Sequence, residues 1–252
     1  MVDLDRFKKL IRTELNIDLF SYKEEQLHRR LKSFFIRNNI TNIDEYVKTL
    51  SSNLKEREKF LDFVTINVTE FYRNPELYKD LSELLKKRGT PNLKVWSAAC
   101  SNGSEPYSVA ILLTELGFSG FTIHATDLDP NIIKKAKEGI YEDIDVKNLP
   151  EAILSKYFTK ANNKYHISNS IKKTVTFKTH DLLMDKFEKD YDLVLCRNVV
   201  IYFNTEAKDK LYKNLSESIK TNGLFFVGAT ENIHDYSKYN FDKLSSFIYI
   251  KK

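Results

Sequence analysis

The chain has 252 residues, of which 30% are charged and 42% hydrophobic, and its formal net charge is +5. This composition indicates a folded globular protein and excludes a disordered chain. No apolar run approaches the ~18 residues of a membrane-spanning helix, and the charge falls short of the dense basic surface typical of nucleic-acid binding. We therefore expect no membrane insertion and no nucleic-acid partner.

The location is predicted from the N-terminus and the cysteines. The first 15 residues have an amphipathic pattern that includes acids, which differs from a secretion signal. Cys100 and Cys196 lie far apart in the sequence, each at the end of a predicted strand. Without a secretory signal they are expected to be reduced thiols, which favours a cytoplasmic location.

The N-terminal part has an almost uninterrupted helical pattern. Apolar residues recur at spacings of three and four, for example at Leu4, Phe7 and Ile11. We predict an all-helical domain over residues 1–76, followed by a linking helix and turn over residues 77–92.

From residue 93 to residue 252 strand-like and helix-like segments alternate, which predicts an α/β fold with a doubly wound, mostly parallel sheet. The expected strands are 93–99, 121–126, 191–196, 224–228 and 247–250, and the expected helices are 106–116, 131–137 and 209–220. Residues 150–180 contain short β-like runs that predict a small antiparallel insertion. A long irregular connection is the alternative for that segment.

The segment VWSAACSNGSEPYS, residues 95–108, predicts a ligand-binding turn between the first strand and a helix. Its small residues, among them Ala99 and Gly103, leave room for a ligand near the backbone. The segment lacks G-x-G-x-x-G, and Glu105 at the helix start repels phosphate and attracts a cation. These features favour a ligand with an amine or a sulfonium, such as S-adenosylmethionine. An ordinary strand–loop–helix connection is the alternative.

Acids follow two further predicted strands. Asp127 lies 24 positions after Gly103, where a carboxylate can accept hydrogen bonds from both ribose hydroxyls of an adenosine. Asp129 is expected to cap the next helix. Asp181 and Leu182 follow a strand-like run and can reach an adenine, although a surface acid explains Asp181 equally well.

Two polar segments complete the candidate site. Arg197 and Asn198 follow the strand 191–196 at the carboxyl edge of the predicted sheet, and Tyr202 can present a phenol to a reacting group. In NVTEFYR, residues 67–73, the planar donors of Arg73 suit a carboxylate. A helix cap at Thr69 and a solvated arginine at position 73 are the alternatives.

Together, four segments resemble the chemotaxis receptor methyltransferases (CheR-type) in order and spacing. They are NVTEFYRNPELY, VWSAACSNGSEPYS, ATDLD and CRNVVIYF. The resemblance implies the fold of an S-adenosylmethionine-dependent methyltransferase behind a helical domain. It also implies transfer of a methyl group from S-adenosylmethionine to receptor glutamates, which yields glutamate methyl esters and S-adenosylhomocysteine in sensory adaptation.

The resemblance also implies roles for individual residues. The cofactor-binding set is Asn67, Thr69, Arg73, Ala99, Glu105, Asp127, Asp181, Leu182, Arg197 and Asn198. Arg73 and Tyr202 are expected to be catalytic through orientation of the substrate carboxylate, and no metal is expected. The chain departs from the family at Ser104, where a glutamate is usual, and at Asp181, where asparagine is common.

Receptor docking is expected on the predicted helix 23–37, which carries a net charge of +3. The candidate docking residues are Arg29, Arg30, Lys32 and Arg37. Receptor methylation regions are acidic in the family, so a basic face favours docking, while a solvated helix face is the alternative. Residues 159–166 form a shorter segment than in members that grip a receptor tail peptide. We therefore expect docking that does not depend on such a tail. We also expect a monomer that is recruited from the cytoplasm to membrane receptor arrays.

Two other functions remain open from the sequence alone. One is a methyltransferase that acts on RNA or on a small molecule, because the cofactor fold does not fix the substrate. The other is a binding module that senses S-adenosylmethionine without transferring its methyl group.

Overall fold

The N-terminal part of the molecule is a bundle of four helices. The computed structural model describes residues 3–65, 67–89 and 91–252, so Met1, Val2, Ile66 and Thr90 lie outside it. The helices are α1 (Leu4–Leu15), α2 (Glu24–Arg37), α3 (Ile43–Ser52) and α4 (Leu54–Val64). Their apolar faces meet in one core rich in aromatic rings, with Phe7 and Phe34 both packed edge-on against Phe60. The helical periodicity in the sequence is thus observed as an inward apolar stripe on each helix.

Helix α5 (Pro75–Arg88) connects this bundle to the sheet. Proline stands at its start, where a missing N–H costs nothing, and Gly89 ends it with a φ of 58°. Its buried leucines, Leu77, Leu81 and Leu85, pack against the sheet.

The remainder of the described chain forms ten strands in two sheets. The strands are β1 (Lys94–Ser97), β2 (Thr122–Asp127), β3 (Ile140–Tyr141), β4 (Phe158–Ala161), β5 (Lys164–Ile167), β6 (Val175–Thr179), β7 (Tyr191–Cys196), β8 (Ile219–Val227), β9 (Phe241–Lys243) and β10 (Ile248–Lys251). The larger sheet has the order β6-β2-β1-β7-β8-β10-β9. Its first five strands are parallel, and β10 and β9 pair antiparallel at one edge.

Helices cover both faces of this sheet. On one face lie α5, α6 (Ser104–Glu115) and α7 (Pro130–Glu138), and on the other lies α11 (Thr205–Ser218). Strand alternation places Val95 in the core beneath α5, α6 and α7, and Trp96 in the core beneath α11. The strand order reverses between β1 and β7, which opens a crevice at their carboxyl ends. The shorter helices are α8 (Asp143–Val146), α9 (Glu151–Tyr157) and α10 (Asn169–Lys172), with 3₁₀ turns at Val200–Tyr202 and Tyr236–Tyr239.

The small antiparallel sheet lies earlier in the chain than predicted. It has the order β3-β5-β4 and spans residues 140–167 instead of 150–180. Val175–Thr179 instead pairs parallel with β2 as an edge of the large sheet. A short alternating run looks the same in a hairpin as at a sheet edge, so the local pattern could not separate the two.

Helix α11 begins four residues before its predicted start. The side chain of Asn204 accepts a hydrogen bond from the N–H of Ala207 at 2.9 Å, which fixes the helix start at Thr205.

Main-chain hydrogen bonds tie the helical bundle to the sheet. The N–H of Lys23 donates to the carbonyl of Tyr202, and the N–H of Asn204 donates to that of Ser21, both at 2.9 Å. The segment that precedes α2 is therefore fixed directly to the loop after β7. Within the described parts of the chain, every helix is too short or too polar to cross a membrane.

Candidate functional site

A cavity opens at the carboxyl ends of the parallel strands, beside the helical bundle. It contains about 900 Å³ of empty space, including the solvent at its mouth. All the cofactor and catalytic residues predicted from the sequence line it: Asn67, Thr69, Arg73, Ala99, Glu105, Asp127, Asp181, Leu182, Arg197, Asn198 and Tyr202. Their convergence is observed, whereas their individual roles stay predictions.

Asp127 ends β2 with a carboxylate that the backbone holds in place. The N–H of Ser101 donates to Asp127 Oδ2 at 2.9 Å, and the N–H of Asp129 donates to Oδ1 at 3.2 Å. Burial raises the pKa of Asp127 to about 6, although both N–H groups oppose the rise. Each oxygen keeps a lone pair for a ligand. The helix cap is observed too, because Asp129 Oδ1 accepts from the N–H of Asn131 at 2.8 Å.

Glu105 places a negative charge in the wall of the cavity. The hydroxyl of Ser97 donates to Glu105 Oε1 at 2.8 Å, and Arg197 Nη1 lies 3.4 Å from Oε2. The Glu105 side chain is only 9% exposed. Burial raises the pKa of Glu105, while the charge of Arg197 opposes the rise. A buried carboxylate of this kind favours a ligand cation.

Gly103 serves the turn itself, which corrects the expectation that it makes room for a ligand. It has a φ of 87°, and an added Cβ would lie 3.0 Å from Ala136 Cβ and 3.2 Å from Tyr107. Glycine is therefore required by the backbone and by the packing behind the turn. Ser104 is also fully buried, and its hydroxyl donates to Asn102 Oδ1 at 2.7 Å. The turn residues that line the cavity are Ala98, Ala99 and Ser101.

Arg197 is enclosed but not fully paired. Its Nη2 donates to the carbonyl of Arg73 at 2.8 Å, and the guanidinium lies 4.7 Å from the ring centre of Phe226. The Nε atom is buried and has no hydrogen-bond partner among the residues that the structure describes. Because a buried unpaired donor costs about 1–3 kcal/mol, we expect Nε to meet an acceptor on a bound ligand.

The loop before α5 has a restricted backbone around Arg73. Tyr72 and Asn74 have φ values of 46° and 61°, in a region that residues other than glycine rarely adopt. The N–H of Tyr72 donates to the Ser108 hydroxyl at 2.9 Å, and Arg73 Nη1 donates to the carbonyl of Val68 at 3.0 Å. These contacts hold the half-buried Arg73 at the cavity.

Asn67 and Thr69 lie at the cavity for different reasons. The amide nitrogen of Asn67 donates to Asp129 Oδ2 at 3.0 Å, which ties this loop to the start of α7. Thr69 lines the cavity and does not cap a helix, because α5 begins at Pro75 after Asn74. The capping alternative for Thr69 was therefore wrong.

The turn after β6 supplies two predicted residues and one that the sequence did not indicate. Asp181 Oδ1 accepts from the N–H of Leu183 at 2.8 Å, and burial raises the pKa of Asp181. Leu182 is 9% exposed and belongs to the core beneath the cavity. His180 was not predicted, yet it lines the cavity with a buried Nε2 that lacks a partner among the described residues.

Tyr22 is a second lining residue that the sequence did not indicate. It comes from the helical bundle, and its ring packs edge-on against Phe203 at 5.3 Å. Burial and the charge of Asp181 raise the pKa of Tyr22, so its phenol stays protonated. No local pattern marks Tyr22, because it reaches the cavity through the pairing of residues 20–23 with residues 202–204.

Arg30 does not share the exposed basic face predicted for α2. It is half-buried, donates to the carbonyl of Phe63 and lies 5.1 Å from the centre of that ring. Burial lowers the pKa of Arg30, while the nearby hydroxyls of Tyr202 and Tyr22 oppose this shift. The exposed members of the predicted docking set are Arg29, Lys32 and Arg37.

The fold and the cavity together define a class of protein. A doubly wound sheet with an acid at the end of its second strand is typical of folds that bind an adenosine-containing ligand, and with the acidic turn after its first strand it has the arrangement expected of an S-adenosylmethionine-dependent methyltransferase. The family model for "CheR methyltransferase, all-alpha domain" matches residues 2–65, and that for "CheR methyltransferase, SAM binding domain" matches residues 67–250. The chain belongs to the CheR methyltransferase family, as the four motifs predicted.

Similar proteins cover almost the whole chain. The chemotaxis protein methyltransferase of Listeria monocytogenes is 36% identical over 250 residues, which cover 97% of this chain and 95% of the relative. Chemotaxis protein methyltransferase 1 of Pseudomonas aeruginosa is 31% identical, with coverage of 92% and 91%. The Escherichia coli chemotaxis protein methyltransferase is 29% identical, with coverage of 90% and 83%.

The charges of the cavity fit S-adenosylmethionine. The unpaired N–H of Arg197 Nε would donate to the ligand carboxylate, and Glu105 would face the ammonium group. Asp127 would accept from the ribose hydroxyls, and Asp181 with Leu182 would hold the adenine. The carboxylate and the ammonium group of the ligand thus each have a group of opposite charge in the cavity.

Cofactor affinity is expected to weaken as the pH falls through about 6, the pKa of Asp127. Only the ionised carboxylate accepts from both hydroxyls, so binding requires loss of the proton at low pH. Asp127→Asn should lower the affinity about 10- to 100-fold and remove this pH dependence. Calorimetric titration with S-adenosylmethionine between pH 5.5 and 8 measures both effects. Equal pH profiles for the two proteins would exclude this role for Asp127.

Proposed function

We propose that this protein transfers the methyl group of S-adenosylmethionine to glutamate carboxylates in the cytoplasmic region of chemotaxis receptors. The observation that carries the proposal is the placement of Arg73 and Tyr202 in the same cavity as the acidic cofactor set. The names of the relatives support a chemotaxis substrate. The products are a glutamate methyl ester and S-adenosylhomocysteine.

The chemistry requires orientation more than activation. When bound, S-adenosylmethionine supplies an electrophilic methyl carbon on a sulfonium. The acceptor glutamate has a reference pKa of about 4.3, so it is ionised at neutral pH and needs no general base. Arg73 and Tyr202 align its oxygens with the methyl carbon. Weak contacts serve this role best, because a strong ion pair would reduce the nucleophilicity of the carboxylate.

The exposed face of α2 supports docking of an acidic receptor segment. Arg29, Lys32 and Arg37 are exposed there, and none of them forms an ion pair within the described ranges. The segment before α2 bonds directly to the loop that carries Tyr202. A receptor helix on α2 would therefore lie close to the reacting group.

The β4–β5 hairpin supports docking without a receptor tail peptide. Its strands are joined by only two residues, Asn162 and Asn163, with φ values of 50° and 58°. We propose that receptor recognition depends on the methylation region alone, by a monomer that reaches membrane receptor arrays from the cytoplasm.

Methyl transfer to receptors tests this function. The purified protein is incubated with methyl-labelled S-adenosylmethionine and membranes that contain chemotaxis receptors, and mild base is then added. Release of labelled methanol from the receptor band is expected, since glutamate esters hydrolyse in base. Label on RNA would favour an RNA methyltransferase, and cofactor binding without any transfer would favour a sensor. Either result contradicts the proposal.

The docking face should act through charge. Arg29→Glu with Lys32→Glu is expected to raise the receptor KM about 10-fold, because an acidic partner would meet acids. Cofactor affinity should not change. Lys86→Glu with Lys87→Glu, at the end of α5, makes the same charge change on exposed residues outside the cavity lining.

This control separates local docking from net charge. The α5 pair should leave KM unchanged, and the effect of the α2 pair should shrink as salt rises. Equal effects of the two pairs would show that α2 has no specific part in docking.

A further inference from the structure

Glu231 is a buried carboxylate just after β8 that the sequence did not single out. It is 4% exposed and has no ion-pair partner in the described part of the chain. Four backbone N–H groups donate to it instead. They belong to Asn198 at 2.5 Å, Val200 at 2.9 Å, Ile201 at 3.4 Å and Gly228 at 2.9 Å.

Three of these donors lie in the loop after β7, residues 197–202, which lines the cavity. Asn198 has a φ of 60°, so this loop does not follow an ordinary extended or helical course. The N–H groups of residues 198, 200 and 201 all donate to the same carboxylate, that of Glu231. A buried acceptor with several N–H donors fixes a backbone conformation that would otherwise leave those donors unpaired.

The space for this carboxylate is also specific. A Cβ added to Gly228 would lie 2.5 Å from Glu231 Oε2 and 3.0 Å from the Asn198 nitrogen. The chain therefore carries glycine where the carboxylate meets the end of β8. Burial raises the pKa of Glu231, and the N–H donors oppose the rise.

We propose that Glu231 is a positioning residue for methyl transfer, which holds loop 197–202 so that Arg197, Asn198 and Tyr202 face the cavity. Glu231 itself is absent from the cavity lining and acts only through the loop. The inference rests on methyl transfer at this cavity and holds for any acceptor. Both oxygens of Glu231 accept from backbone N–H groups. Glutamine cannot replace it, because its amide nitrogen is a donor and cannot accept from them.

Asp192 offers a matched control. It is also a buried carboxylate, 7% exposed, and accepts from the N–H of Lys94 at 2.9 Å, but it also pairs with Lys220 at 3.0 Å. It lies in β7 near the end opposite the loop and outside the cavity lining. Asp192→Asn should therefore lower stability without altering turnover per folded molecule.

The test compares Glu231→Gln with Asp192→Asn by steady-state methyl transfer, with the folded fraction measured by thermal unfolding. We expect Glu231→Gln to lower kcat about 100-fold, since small misplacement of reacting groups has effects of that size. KM for the acceptor should change much less. Gly228→Ala displaces the carboxylate without removing it and should likewise lower kcat with little change in KM. It therefore replaces Glu231→Gln in the test if that variant does not fold.

Two results would overturn the inference. One is normal kcat in folded Glu231→Gln and Gly228→Ala proteins. The other is an equal loss of kcat per folded molecule in Asp192→Asn. A wild-type protein that is inactive on receptors but methylates another acceptor would contradict the proposed function alone, and the same comparison would then use that acceptor.

Discussion

Replacing Arg73 with alanine is expected to lower kcat for methyl transfer by about 100-fold or more. The guanidinium lies at the cavity beside the predicted cofactor set, where it can orient the substrate carboxylate. Its loss leaves a reactive oxygen without a fixed direction toward the methyl carbon. Cofactor affinity should fall less, because Glu105, Asp127 and Arg197 remain. Single-turnover transfer of a labelled methyl group measures the chemical step directly.

The fold should survive this substitution because the backbone of the loop is held by other groups. The Tyr72 N–H donates to the Ser108 hydroxyl, and the Arg73 carbonyl accepts from Arg197. Phe71 is fully buried and packs edge-on against Tyr141 at 4.8 Å. None of these contacts uses the Arg73 side chain.

Two further variants make the Arg73 result specific. Arg73→Lys keeps the charge but loses the planar fork of donors, so it should recover only part of the rate. Arg12→Ala removes an exposed arginine at the end of α1, outside the cavity lining, and should be fully active. Wild-type turnover in Arg73→Ala, or full rescue by lysine, would contradict an orienting role for the guanidinium.

The predicted parts of the fold were those with a strong local signal. Residues 191–196 form a run between polar flanks that is apolar except for Asp192, and the structure has a fully buried strand at those positions. The strand at residues 175–179 was harder, because its half-buried alternation does not reveal whether its neighbour is parallel or antiparallel. The pairing that decides this comes from a strand about 50 residues earlier, which local periodicity does not encode.

The candidate site was predictable for a geometric reason. Parallel strands end at the same edge of a sheet, so Glu105, Asp127 and Arg197 had to lie near one another once the strands were placed. Arg73 and Tyr202 were also singled out from their residue types, and the resemblance to one family then implied their catalytic role. Tyr202 lies in the 3₁₀ turn Val200–Tyr202, and Arg73 lies in an irregular loop.

The sequence did not indicate residues that bind only backbone groups or residues that reach the cavity from the other domain. Tyr22 reaches the cavity by pairing with a segment about 180 residues away, and Glu231 binds only N–H groups, which leave no mark on side-chain patterns. The one available signal was an acid soon after a glycine at the end of a strand, GATE at residues 228–231. That pattern alone is too common to assign a role.

Replacing Glu105 with glutamine is expected to weaken S-adenosylmethionine binding about 100-fold, since a buried charge-assisted contact is lost. The stability cost should be about 1 kcal/mol or less. Burial raises the pKa of Glu105 in the folded state, so folding favours the neutral form relative to the unfolded chain, and a neutral isostere removes that penalty at pH 7. Equilibrium binding and denaturant unfolding measure the two effects separately.

A second ligand shows which part of the cofactor Glu105 meets. Methylthioadenosine keeps the adenosine but lacks the ammonium, the carboxylate and the sulfonium charge, so Glu105→Gln should leave its affinity unchanged. Asp127→Asn should weaken both ligands, because both carry the ribose. An equal loss for both ligands in Glu105→Gln would mean that Glu105 acts by shaping the turn through Ser97 and Arg197 and does not meet the ammonium group. Loss confined to S-adenosylmethionine would show that the acidic turn after β1 meets the cationic part of the cofactor, its ammonium or its sulfonium, because those charges are what the second ligand lacks.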